Sequence, residues 1–121
     1  MVTLKLPYPP SVNSIWRRGN GRTYLNPKYQ AWKKEADACF TLQRSEKTIG
    51  TPVVGPFDVF IVFSEKKRRK NTDLDNRIKV TMDSLQRFGL IENDNKCETL
   101  TASWGPVDGV FIRVFKSMGV K

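Results

Sequence analysis

The chain has no histidine among its 121 residues. That excludes imidazole general bases, Ser-His nucleophile pairs and the usual zinc centres, so any catalysis has to run on carboxylates, lysine and a hard metal. Cysteine is nearly absent too, with only Cys39 and Cys97. Without a secretory segment these are expected to be reduced, half-buried fillers rather than a bridge. No apolar run approaches the ~18 residues of a spanning helix, and residues 1–5 lack the long apolar core of a signal peptide. A soluble, cytoplasmic protein is expected. No linker or repeat interrupts the chain, and its length suits one domain, residues 1–121, around a single core.

What the chain does have is positive charge. Twenty-one Lys and Arg against twelve Asp and Glu give a net charge of +9 and a pI near 9.8. The partners this implies are anionic, with nucleic acid ahead of an acidic membrane surface. Nine of the twelve acids fall after residue 50, so the chemistry is sought there.

Residues 2–6 alternate and stop at Pro7, which predicts a short strand. Residues 8–25, rich in Pro, Asn, Gly and Ser, read as a loop that carries Arg17, Arg18 and Arg22 beside Trp16 and Tyr24. Aromatics among cations stack on bases and grip phosphates, although Trp16 and Tyr24 would equally serve as plugs at the edge of the core. Asn26 followed by Pro27 opens a helix over 27–43, with Tyr29, Trp32, Ala36, Cys39 and Phe40 on one stripe. After a loop over 45–56, the apolar run 57–63 predicts a strand covered on both faces and central in a sheet. Its carboxyl end feeds the acidic region, a strand-end crevice of the kind where open sheets bind ligands.

Over 73–87, Leu74, Ile78, Met82 and Leu85 define one helical face, closed by Gly89 at the C-terminus. On the other face Asp75, Lys79 and Asp83 recur every four residues. Asp73 at the helix entrance points into the same space, and Asp83, further along, is expected to lie outside the chemistry. The turn 91–96 adds Glu92 and Asp94. Residues 98–104 and 110–115 predict two strands joined as a hairpin by a five-residue loop. The sum is a mixed α+β domain of about four strands and two main helices, with a strand order the sequence does not yield.

Just ahead of the acids stand five consecutive cations, Lys66, Lys67, Arg68, Arg69 and Lys70. Charge runs usually end as solvated loops or targeting signals, but these would repel one another unless a polyanion lay against them. An acid cluster with no His or Cys partner selects a hard cation such as Mg²⁺, held by one or two carboxylates together with substrate phosphate. A structural explanation competes. First-turn acids suit the helix dipole, Thr72 with Asp75 fits a capping box, and Asp75 with Lys79 is an ordinary i, i+4 pair. Those effects amount to only ~0.3 to 1 kcal/mol each, and none explains the basic run beside them.

Taken together, the opening Leu6-Pro7-Tyr8-Pro9-Pro10-Ser11-Val12-Asn13, the basic run leading into Asp73-Leu74-Asp75-Asn76, Lys79, and Gly89 followed by the turn with Asp94 resemble the RusA family of Holliday-junction resolvases. These are small endonucleases common in phages and prophages, and the likeness runs from residue 4 to about 114. The resemblance implies catalytic Mg²⁺ on Asp73, Asp75 and Asp94, and an active-site role for Lys79. It also implies a homodimer that cuts opposed strands of a four-way DNA junction. Asn13, Arg17, Arg18, Arg22 and the run 66–70 are the expected DNA contacts. Where the family often carries two adjacent acids in its last turn, this chain has Asn93 before Asp94. A binding module that holds branched DNA without cutting it is the alternative, and the complete acid set with Lys79 favours the enzyme.

Overall fold

The computed structural model describes residues 1–11, 16–19, 21–69 and 74–118, with Trp16, Arg17, Arg18, Arg22 and Tyr24 described by their backbone alone. Strand β1 (Val2–Leu6) alternates as expected, burying Val2, Leu4 and Leu6. The next expectation is overturned. The supposed loop contains a two-stranded hairpin, β2 (Trp16–Gly19) and β3 (Arg22–Leu25), with Gly19 opposite Arg22 at its tip. Its Gly content is turn chemistry inside a short hairpin, with Gly21 at φ +71°, rather than a mark of irregular chain.

Helix α1 (Pro27–Ser45) starts where the N-cap signal puts it. Asn26 Oδ1 accepts from the Lys28 backbone N–H at 2.9 Å, and Pro27 costs the helix no hydrogen bond at its first position. Trp32 and Ala36 of the predicted stripe are buried, with Tyr29, Cys39 and Phe40 packed against the core. Helix α2 (Asp75–Arg87) is amphipathic as read, but its buried arc centres on Val80, Thr81, Met82, Ser84 and Leu85, while Leu74 and Ile78 sit at the arc's edge. Gly89 follows it at φ +74°, and the Leu90 N–H returns to the Leu85 carbonyl at 3.0 Å, a left-handed close that favours glycine. Thr72, the proposed capping partner of Asp75, lies outside the described residues.

Strands β1, β4 (Phe57–Ser64), β5 (Cys97–Gly105) and β6 (Val110–Lys116) make one mixed sheet in the order β1-β6-β4-β5. β4 is central, as its apolar run requires. It pairs parallel with β5 and antiparallel with β6. The predicted β5–β6 hairpin is therefore wrong. The connection after β5 steps over the end of β4, a span of about 10 Å that a few residues cover, and the Ser64 N–H donates to Gly109 O at 2.9 Å as it passes. Gly109 sits at φ +65°, where a Cβ would collide with the Leu6 carbonyl oxygen.

Both helices pack on one face of the sheet, over Phe57, Val59, Ile61 and Phe63 of β4 and Val110, Ile112 and Val114 of β6. The opposite face was also expected to be covered, and among the described residues it is not. Phe60 is 45 % exposed, and Val62, Phe111, Arg113 and Phe115 line a shallow depression of about 310 Å³ with it. Strict alternation explains the error. A strand with one buried face reads as a doubly buried one when its outward positions are also apolar.

Candidate active site and nucleic-acid interface

Because β4 and β5 are parallel, α2 runs back along the sheet between them. Asp75 begins the helix, and Asp94 comes from the short turn Asp94–Lys96 that leads into β5. Two contacts set that turn against the helix. Gln86 Oε1 accepts from the Asp94 N–H at 3.3 Å, and Lys79 Nζ reaches Asp94 Oδ2 at 3.6 Å. Within the turn, Asn93 Oδ1 accepts from the Asn95 N–H at 3.0 Å. Asn93 thus shapes the loop that presents Asp94. Glu92 is directed elsewhere, accepting from the Gly55 N–H at 2.6 Å.

Lys79, Asp83 and Asp94 therefore meet in space. Asp75 lies one turn before Lys79, and Asp73 is outside the described residues. Sequence spacing left Asp83 outside the site, yet its Oδ1 is 3.1 Å from Lys79 Nζ. The Lys79 ammonium is held above the ordinary lysine range, first by the hydrogen bond and charge of Asp83 and then by Asp94.

The donor chemistry suits a hard ion. Asp75 and Asp94 offer carboxylate oxygens at the surface, and an ammonium already stands against Asp94 as a cation would. Mg²⁺ takes one or two protein carboxylates and completes its shell with water and phosphate.

The basic run follows β4 as a single 3₁₀ turn, Glu65–Lys67, with Lys66, Lys67, Arg68 and Arg69 all exposed. Arg68 lies over the Trp104 ring at 5.9 Å, and Arg69 Nη1 donates to the Lys66 carbonyl at 3.0 Å. Lys66 faces Asp108 at 3.8 Å with both side chains almost fully in water, a pair of little energetic weight. Lys70 and Asn13 lie outside the described residues, and the side chains of Arg17, Arg18 and Arg22 are likewise not described.

A residue the sequence did not announce ties these parts together. Arg77, between the acids and Lys79 on α2, donates from Nη1 to Pro9 O at 2.7 Å and lies over the Tyr8 ring at 4.8 Å. Trp32 Nε1 of α1 donates to Pro7 O at 3.0 Å, so both helices grip the arch at residues 7–9 that leads to the β2–β3 hairpin. Burial pushes the Tyr8 hydroxyl above its ordinary range, partly reversed by Arg77. The available signal was an arginine at the border of an apolar stripe, a position where the stem packs and the head seeks an acceptor.

A small α+β fold that carries an acid–lysine cluster and an exposed basic turn defines a class of protein that works on a polyanion. Comparison with known proteins narrows it. The family model for endodeoxyribonuclease RusA matches residues 7–114. The crossover junction endodeoxyribonuclease of Enterobacteria phage HK97 is 32 % identical over 95 residues, spanning 78 % of this chain and 75 % of its own length. Its counterpart in Aquifex aeolicus is 30 % identical over 91 residues, 75 % and 68 % respectively, and that of Enterobacteria phage 82 is 29 % identical over 91, at 75 % and 72 %. The chain belongs to the endodeoxyribonuclease RusA family.

Proposed function

We propose that the chain is a Mg²⁺-dependent, structure-selective endonuclease that resolves four-way DNA junctions by paired phosphodiester hydrolysis. The observation that carries this is the meeting of Asp94 with Lys79 and Asp83 of the helix that Asp75 opens, in a chain with four exposed cations after the preceding strand. Asp73, Asp75 and Asp94 are the residues that would hold the ion. The chemistry an ion supplies there is activation of water near neutral pH and neutralisation of charge building on phosphate oxygens. Lys79 contributes a fixed positive charge to the same phosphate, and it cannot take up a proton while it remains an ammonium. Lys66, Lys67, Arg68, Arg69 and Lys70 grip flanking phosphates. Arg17, Arg18 and Arg22, on the hairpin strands, hold the second stretch of backbone together with Asn13. Relatives from two phages support a prophage setting, with the enzyme acting on DNA in the cytoplasm.

The working unit is a homodimer, since two matched nicks across a nearly two-fold substrate call for two equivalent sites. The uncovered sheet face is the surface we assign to that contact. Four strands by about seven residues give a footprint of roughly 19 by 23 Å. That is about 440 Å², the centre of a contact that needs its rim to approach the ~800 Å² per partner seen in stable interfaces. Its centre is Phe60, Val62, Phe111 and Phe115, with Phe60 and Phe115 edge to face at 5.8 Å. Its rim is polar, with Thr3, Lys5, Thr99, Thr101 and Ser103. The face carries its own opposite charges. Arg113 is exposed on it, and Asp58 Oδ1 is buried with no hydrogen-bond partner among the described residues.

The test is cleavage of a labelled four-way junction and a matched linear duplex, with Mg²⁺ or with EDTA. Junction-selective, Mg²⁺-dependent cutting is expected. Equal cutting of both substrates, or full activity in EDTA, contradicts the proposal, and tight junction binding with no cutting would make the chain a binding module.

A further inference from the structure

One ammonium serves two carboxylates here. Lys79 Nζ lies 3.1 Å from Asp83 Oδ1 on its own helix and 3.6 Å from Asp94 Oδ2 on the following turn. Only Asp94 belongs to the proposed ion-binding set, and the inference rests on that assignment of Asp94. We propose that Lys79 is the resident counter-ion of the acidic site and Asp83 its second seat, so that a divalent cation arriving at Asp94 passes the ammonium wholly to Asp83.

The geometry makes the exchange easy. Both contacts already exist, so the lysine needs only rotation about its outer torsions rather than a new path. The side chains of Lys79, Asp83 and Asp94 are 56 %, 46 % and 39 % exposed, which means no core packing opposes that rotation. Without a cation, Asp94 and its acidic neighbours repel each other, and the ammonium relieves this. With a cation at Asp94, the ammonium is itself repelled and would have to leave for water. Asp83, one helical turn along, gives it a counter-charge instead. Asp83 is thus a positioning residue that acts through Lys79, and it touches neither ion nor substrate.

Exposed pairs of this kind are worth up to roughly 1 kcal/mol, so each contact moves ion affinity by up to about 5-fold. The test is Mn²⁺ binding to DNA-free protein, followed by electron paramagnetic resonance. It compares the unmodified chain, Asp83→Asn, Lys79→Met and the double variant, with thermal melts to verify folding. Lys79→Met, which removes the competing charge, is expected to tighten Mn²⁺ by about 2- to 5-fold. Asp83→Asn is expected to weaken it by a similar factor when Lys79 is present, and by less than about 2-fold when Lys79 is replaced by Met, because only screened long-range charge then remains. Asp83→Glu, which keeps the charge, restores the unmodified affinity. Equal effects of Asp83→Asn in both backgrounds, or no tightening by Lys79→Met, overturn the exchange. Asp94→Asn separates the two levels. If it leaves Mn²⁺ binding intact, or if no variant binds Mn²⁺, the acidic site itself is misassigned and both proposals fall.

Discussion

Arg77 and Pro9 are joined by a 2.7 Å hydrogen bond from guanidinium to carbonyl, across 68 residues of sequence. The bond locks the arch ahead of the arginine hairpin to the helix that carries Asp75 and Lys79, with the Tyr8 ring under the guanidinium. Hydrogen bonds from a charged donor contribute about 1.5–3 kcal/mol, and breaking this one strands a carbonyl. Arg77→Gln is expected to lower unfolding free energy by about 1–3 kcal/mol in urea titrations. It is also expected to weaken junction binding severalfold, since the arch is no longer held in place. Unchanged stability together with unchanged binding would show that the arch is fixed by other contacts.

How far the sequence discloses this arrangement depends on whether the relevant signal is local. The α1 start was legible because Asn26 and Pro27 act within one turn, and β1 because its alternation ends at a proline. The β5–β6 pairing was misread, since short connections favour neighbours and nothing local announces that β4 takes the slot between them. The open face was misread for a related reason, as Phe60 and Val62 are as apolar as Val59 and Ile61, and only packing distinguishes them. In the site, the repeat of Asp75, Lys79 and Asp83 was visible. Which way Lys79 turns depends on where the Asp94 turn docks, a tertiary fact. Arg77 stood at the border of the apolar stripe, but what it binds was not legible, because its acceptor is a backbone carbonyl with no residue signature.

The basic turn offers a thermodynamic reading. Replacing Lys66, Lys67 and Arg68 with Ala should weaken binding and reduce the log-log salt slope by ~0.7 to 0.9 for each phosphate the turn no longer neutralises. Fluorescence anisotropy at several salt concentrations measures this. An unchanged slope would mean that the turn points away from DNA.

Phe60→Asp tests the sheet face. The side chain is already half in water, so the folded chain should survive, while a charge in the centre of a two-fold contact meets its own copy. Sedimentation is expected to show the mass falling from that of two chains to one. A dimer that persists, with unaltered affinity, would place the interface elsewhere.

The cysteines provide a pH prediction. Cys39 and Cys97 are free and half-buried, and burial foremost pushes both thiols above the usual range. Each is therefore protonated in the folded chain at a pH where an unfolded thiol has begun to ionise. The stability this contributes is complete below the unfolded thiol's pKa and is lost as pH rises from there through the raised value. Alkylation by iodoacetamide near pH 8.5 should be slower than for a free thiol and should accelerate on unfolding. Fast labelling of both in the native chain would contradict their burial.

The central claim is that the acids at Asp75 and Asp94 perform chemistry and do not serve to hold DNA. The most direct measurement puts Asp75→Asn and Asp94→Asn through paired gel-shift and cleavage assays on the same four-way junction. Removing one negative charge from a surface meant for phosphate should leave affinity in EDTA equal or better. Cutting in Mg²⁺ should fall by orders of magnitude, because a neutral amide is a poor ligand for a hard ion. Variants that lose junction binding and folding together, while any surviving protein still cleaves, would show these acids to be helix and turn caps and would place the metal-binding chemistry elsewhere in the molecule.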